Sequence, residues 1–169
     1  MMAHHLLRWV FRLPVRLYHA DCGWLLGHRF IMLTHTGRRT GKRHDAVLEI
    51  MAHHGSEMIV MSAFGRSANW LRNIRMNPDI QITTGSRTFA ATYRILTEAE
   101  AMAVMAEYEH HHHRLAMPIV RAVLTRLLGW SYDASPQARS WLAAQLPFIA
   151  FRPAIAPPAS RHRQTSSPP

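Results

Sequence analysis

Apolar residues in this chain come in short runs broken by glycine, proline and polar clusters, a spacing that predicts short strands with a few helices between them. Strands are expected over His28–Thr36, Asp45–Ala52, Glu57–Ala63, Asp79–Thr84, Arg87–Leu96 and Leu146–Arg152. Two connections look like tight turns, His53-His54-Gly55-Ser56 and Gly85-Ser86. Five segments read as helices. Leu6–Leu26 places Leu6, Trp9, Val10, Leu13 and Leu17 on one face and Arg8, Arg12 and Arg16 on another, with Pro14 bending it or starting a second helix. Asn69–Asn77 carries Trp70, Leu71 and Ile74 on one side and is stopped by Pro78. Thr97-Glu98-Ala99-Glu100 is a capping box opening a helix through about His113. Met117–Leu128 ends at Gly129, and Ser135-Pro136 caps a last helix through Gln145.

Strands linked by tight turns and followed by helices point to an α+β domain with a mainly antiparallel sheet, and strands with local connections can curl into a small barrel. A chain of 169 residues with 48 % hydrophobic residues suits one domain with a real core, taken here as residues 1–152. Residues 1–27 would form its N-terminal amphipathic helical segment. Residues 153–169, rich in Pro, Ala, Ser and Arg, should be a disordered tail.

Charge adds a function class. Twenty Lys and Arg against 10 Asp and Glu leave a formal net charge of +10, which predicts anionic partners: a phosphorylated cofactor, nucleic acid or an anionic bacterial-type membrane. No run of apolar residues is long enough to span a membrane, and the N-terminus, interrupted by His4, His5, Arg8, Arg12 and Arg16, does not read as a signal peptide. The one cysteine, Cys22, allows no internal disulfide and fits a cytoplasmic setting; no neighbouring pattern activates it. The tryptophan-bearing basic N-terminal helix is a candidate for peripheral membrane contact, and packing on its own domain is the commoner fate of such a helix.

The charge is densest from Thr34 to His44, T-H-T-G-R-R-T-G-K-R-H, where Arg38, Arg39, Lys42 and Arg43 sit around Gly37 and Gly41 with hydroxyls from Thr36 and Thr40. Between two strands, such a loop can turn backbone amides toward an anion while arginine forks grip it. It is not a P-loop: three residues, not four, separate the glycines, Lys42 is followed by Arg43, and a strand comes next. Taken alone, the loop fits a solvated basic turn as well as an anion site.

The wider pattern resembles a known family. H-R-F-I-M-L-T-H-T-G-R-R-T-G-K-R, then V-L-E-I, S-A-F-G-R-S-A-N-W-L-R-N-I, N-P-D-I-Q-I and A-E-Y-E-H look like the deazaflavin-dependent nitroreductases, which use coenzyme F420. The likeness runs from about Leu13 to Pro153, and the specific part is T-G-R-R-T-G combined with W-x-x-N-x-x-x-N-P. It implies a split β-barrel of about six mainly antiparallel strands, with N-terminal, middle and C-terminal helices around it. It also implies hydride transfer between reduced deazaflavin and a quinone, enone or nitro acceptor. By the same resemblance Gly37, Arg38, Arg39, Thr40 and Gly41 would bind the coenzyme's phosphate, and Lys42, Arg43 and His44 would continue toward its oligoglutamate tail. Ser62, Ala63, Phe64, Gly65 and Arg66 would lie along the deazaflavin or its ribityl chain, with Trp70 closing that side. Phe64 stands where well-known members carry lysine, and Ala46-Val47-Leu48-Glu49 replaces a common Asn/Thr-Pro-Leu-Tyr, so the acceptor pocket departs from the family pattern.

Hydride chemistry belongs to such a coenzyme, and the protein must orient it and the acceptor. No nucleophile is evident. Tyr108 and nearby histidines are the residues to name for a proton, with solvent as the alternative donor. The run His110–His113 lacks a partner set for a metal and reads as a polar helix end that suits the C-terminal dipole when protonated. Rival readings are a non-enzymatic binder of nucleic acid or anionic membrane, and the same barrel holding FMN. Specific nucleic-acid recognition is not expected; monomer and homodimer are both open.

Overall fold

A computed structural model describes residues 29–111 and 117–154 of the chain. The expected N-terminal helix with Trp9, Trp24 and Cys22, the residues His112 and His113, and most of the expected tail lie outside these residues. Six strands close into an antiparallel barrel: β1 (Phe30–Thr36), β2 (Arg43–His54), β3 (Glu57–Met61), β4 (Ile80–Thr84), β5 (Arg87–Ile95) and β6 (Phe148–Pro153), in the order β1-β2-β3-β6-β5-β4. Among the described residues four α-helices accompany it, α1 (Asn69–Met76), α2 (Glu98–His111), α3 (Met117–Leu128) and α4 (Pro136–Gln145), with a single 3-10 turn at Gly65–Ser67 before α1. This is the α+β barrel that the strand spacing and the resemblance both predicted.

Two apolar layers share the sheet. Inside the barrel lie Ile31, Leu33, Ile50, Val60, Ile80, Ile82, Ile149 and Phe151, sealed by Leu71 and Ile74 of α1. Outside it, Ile59, Phe148 and Ala150 pack with Val104 and Met105 of α2 and Leu142 of α4. Strands β3 and β6 therefore bury residues on both faces, which is why E-M-I-V-M and F-I-A-F read as continuous apolar runs without alternation. β1 alternates instead: Ile31, Leu33 and His35 are buried while Phe30, Met32 and Thr34 are only partly covered. A bulge at Met51 moves β2 from one layer to the other, since Ile50 belongs to the barrel interior and Ala52 to the helical side.

Boundaries shift where pairing extends them. β2 begins at Arg43 because Arg43 and His44 pair with Thr36 and His35, so the basic loop shrinks to Gly37–Lys42. β6 begins at Phe148: the carbonyl of Pro147 accepts the Ser62 amide at 2.9 Å, and proline has no N–H to give a ladder. The capping box forms as expected, with the Thr97 amide donating to Glu100 Oε2 at 2.8 Å and the Glu100 amide to Thr97 Oγ1 at 3.3 Å. Ser135 caps α4 through the Ala138 amide at 3.1 Å. Between α2 and α4 the buried Glu109 carboxylate takes Arg139 Nε at 2.9 Å and Nη2 at 2.6 Å, and also accepts the Tyr132 hydroxyl. Among the described residues no helix is long and apolar enough to cross a membrane.

Candidate functional site

A cleft of about 660 Å³ opens where the basic loop, the start of β2 and α1 meet. Its size is typical of small-molecule sites. The loop supplies Gly37, Arg38, Arg39 and Thr40; β1 and β2 supply His35, His44, Asp45 and Ala46; the segment into α1 supplies Phe64, Ala68, Asn69, Trp70 and Asn73.

Gly37 sits under two side chains. A Cβ there would stand 2.8 Å from His44 Nε2 and 2.9 Å from Thr40 Oγ1, so any side chain would have to displace the imidazole and the hydroxyl from this rim of the cleft. Gly41 adopts φ +66°, the left-handed turn that lets the hairpin return. The glycine amides do not, however, face an anion. Gly37 N–H donates to the Lys42 carbonyl at 2.7 Å and Gly41 N–H to the Gly37 carbonyl at 2.8 Å, closing the loop on itself. Arg38 N–H goes to Asn73 Oδ1 at 3.2 Å and Lys42 N–H to Thr40 Oγ1 at 3.3 Å. That leaves the side chains, with the amides of Arg39 and Thr40 at the loop tip, to grip an anion.

Those side chains are arginines. Arg38 Nη1 donates to Asn73 Oδ1 at 2.8 Å and Nη2 to Asn69 Oδ1 at 3.3 Å, so its guanidinium is clamped by two carboxamides four residues apart on α1. Its pKa is lowered, by desolvation first and then by the positive charges of Arg72 and Arg39 nearby. Among the described residues none of Arg38, Arg39 and Arg72 has a carboxylate partner. Uncompensated guanidinium groups on a cleft suit a phosphate or carboxylate ligand.

The structure separates the residues expected from sequence. Gly37, Arg38, Arg39, Thr40, His44, Phe64 and Trp70 line the cleft; Gly41, Lys42, Arg43, Ser62, Ala63, Gly65 and Arg66 do not. Arg43 reaches across the sheet to Gln81 Oε1 at 3.0 Å. Ser62 is fully buried and its hydroxyl donates to the Gly65 carbonyl at 2.8 Å, so it shapes the turn that presents Phe64. Trp70 is both wall and core, lining the cleft while its ring lies 6.4 Å from Phe151. Tyr108 is elsewhere: it is buried on the helical side, its hydroxyl donates to Glu49 Oε1 at 3.2 Å, and burial foremost pushes its pKa up to about 12. A phenol so placed neither borders the cleft nor gives up a proton readily. His111 Nδ1 is bonded to the Glu107 carbonyl at 2.8 Å within the last turn of α2.

His35, Asn69 and Asn73 were missed. The signal was present: His35 extends the inward row Ile31-Leu33, and Asn69 and Asn73 share a helix face at i, i+4.

A sequence profile of the F420H2-dependent quinone reductase family matches residues 10–118, more than half of the chain. The chain belongs to this family. Its members are oxidoreductases, and this one is an F420-dependent oxidoreductase with coenzyme F420 as its cofactor. An F420H2-dependent quinone reductase of Mycobacterium tuberculosis is 28 % identical over 123 residues, covering 60 % of this chain and 80 % of that protein. Among solved structures, a pyridoxamine 5'-phosphate oxidase-related, FMN binding protein of Nostoc punctiforme superposes with a TM-score of 0.50 at 12 % identity, covering 82 % of this chain and 77 % of the other. That second likeness bears on the barrel fold alone.

The cleft fits the family's cofactor on its own evidence, because it joins an anion-seeking arginine cluster to an aromatic wall. Trp70→Phe should keep the fold, since a ring still meets Phe151. It should also remove most of the tryptophan quenching that coenzyme addition produces, read by fluorescence against Trp9, Trp24, Trp130 and Trp141. Parent-like quenching in the variant would make Trp70 a core residue only.

Proposed function

We propose that this chain is a quinone reductase whose cleft binds the phosphate of coenzyme F420 through Arg38 and Arg39. Arg72 deepens the positive field. Bound there, the coenzyme supplies hydride-transfer chemistry. The observation that carries the reading is the pair Arg38 and Arg39, without carboxylate partners, on a cleft faced by Trp70 and Phe64, with Arg72 outside the lining but near enough to act on Arg38. The exposed Lys42, in the same loop but outside the cleft lining, adds a further positive charge for a polyanionic tail. Phe64, half exposed, together with Ala46, Ala68 and Trp70 gives an apolar face suited to a flat, poorly hydrated acceptor such as a quinone. Reducing a quinone to its hydroquinone takes one hydride and one proton. The cleft opens to water, so no dedicated acid is required. The relatives' names support the acceptor class.

The tests are binding and turnover. Equilibrium dialysis should show coenzyme F420 held more tightly than FMN, because the arginines and Lys42 exceed what one phosphate monoester engages. Reduced coenzyme should then be consumed on addition of a soluble quinone, with hydroquinone formed in equal amount. Equal or tighter FMN binding, or no consumption with any quinone, would overturn the reading.

A further inference from the structure

Asn73 is a polar side chain only 5 % exposed, on a helix that otherwise lays Leu71 and Ile74 into the barrel core. Its carboxamide is spent on two elements at once. Oδ1 receives the Arg38 amide at 3.2 Å and Arg38 Nη1 at 2.8 Å, while Nδ2 lies 3.2 Å from His35 Nδ1. The chemistry of the donors orients this amide. A backbone N–H and a guanidinium can only donate, so the group facing Arg38 must be the carbonyl oxygen. The group facing His35 is then the NH2, which can only donate in its turn. His35 Nδ1 must accept, and the single proton of a neutral imidazole sits on Nε2.

His35 is 4 % exposed, continues the inward row of β1 and lies on the cleft. His44, its cross-strand partner, has its ring centroid 5.9 Å away, and Asp45 follows on the same strand. Burial above all, and then the charge of His44, lowers the His35 pKa, with Asp45 and a hydrogen bond to the Thr36 backbone acting in the opposite sense. A neutral imidazole and an Asn73 donor are thus mutually consistent.

We propose that Asn73 is a positioning residue that sets the anion-gripping Arg38 and the buried His35 together, holding His35 as its neutral Nε2–H tautomer. One carboxamide cannot turn to serve a doubly protonated or Nδ1–H imidazole without abandoning Arg38. The state of the imidazole and the placement of the guanidinium are therefore linked through a single side chain. The identity of the anion rests on the coenzyme reading above; the tautomer does not.

The experiment has two arms. On the full chain without coenzyme, labelled with ¹⁵N-histidine, long-range ¹H–¹⁵N spectra near neutral pH should show His35 with Nε2 protonated and Nδ1 bare. The His35 signal is assigned by its loss in His35→Gln. In Asn73→Asp a carboxylate can accept from Arg38 and from an Nδ1–H alike, so His35 should become protonated on both nitrogens, a change that loss of packing alone would not produce. In the second arm, fluorescence titration with coenzyme F420 should show Asn73→Ala weakened by roughly tenfold to a hundredfold, the loss expected when a charge-assisted contact is no longer held in place. An Nδ1–H tautomer in the parent, an unchanged His35 in Asn73→Asp, or Asn73→Ala binding within about twofold of the parent would each overturn the proposal. If Asn73→Ala does not fold, the parent and Asn73→Asp spectra decide it. A parent that shows the Nε2–H tautomer and the Asn73→Asp change yet binds no coenzyme would support the positioning role while removing the coenzyme reading.

Discussion

Replacing Arg38 and Arg39 together by alanine should weaken coenzyme F420 binding by about a thousandfold, near 4 kcal/mol, while the barrel still folds. Each guanidinium offers a forked, charge-assisted contact worth roughly 1.5–3 kcal/mol to an anion, and the loop's glycine amides cannot compensate because they are bonded to the loop's own carbonyls. Stability should not be untouched. The loss of the Arg38 side chain strips Asn73 Oδ1 of its guanidinium donor but leaves it the Arg38 backbone N–H, so a small fall in melting temperature is expected. Arg38→Lys separates the causes, since it keeps the charge but not the fork that reaches both Asn69 and Asn73. Fluorescence titration gives the affinity and thermal melts give the stability. Binding within about tenfold of the parent would move the phosphate site away from this loop.

Arg139→Ala should act on the fold and not on the cleft. Glu109 is 6 % exposed, and Arg139 is the cation that makes its burial tolerable. Removing one partner of a buried ion pair leaves an uncompensated charge, at about 3–5 kcal/mol. The Tyr132 hydroxyl stays in place as a donor, because burial foremost and then its bond to Glu109 push its own titration well upward, but a neutral donor cannot replace the guanidinium. Adding Glu109→Gln to Arg139→Ala should recover much of the loss, since the orphaned charge disappears with it. Urea denaturation measures both variants. Coenzyme affinity under native conditions should stay within about twofold of the parent, as none of the three residues lines the cleft. A loss below about 1 kcal/mol for Arg139→Ala would mean that water or rearrangement solvates Glu109 in its place.

The two variants separate what was legible in the chain from what was not. Arg38 and Arg39 stand out because four cations within eleven residues and two bounding glycines form a local pattern. Glu109 and Arg139 lie thirty residues apart, and nothing in the sequence of either helix announces the other.

The sequence by itself determined the local elements. The Thr97 capping box, the Ser135 cap and the turns at Gly55 and Gly85 each depend on atoms within a few residues, so their chemistry is written in adjacent letters. It also determined the density of charge in the loop and the family motif around it. Only the tertiary structure decided which strands close the barrel, because β3 and β6 meet across some ninety residues of chain and each reads as an apolar run whichever strand it joins. Tertiary structure likewise sent Arg38 to the cleft and turned Arg43, expected to continue the positive track, across the sheet to Gln81. It brought Asn73 and His35 together: alternation along β1 places His35 inward, but nothing local pairs it with a helix thirty-eight residues on. A side chain's exposure follows from its own alternation, but its partner follows from how distant segments approach, and that approach is fixed by burying two apolar layers on one sheet.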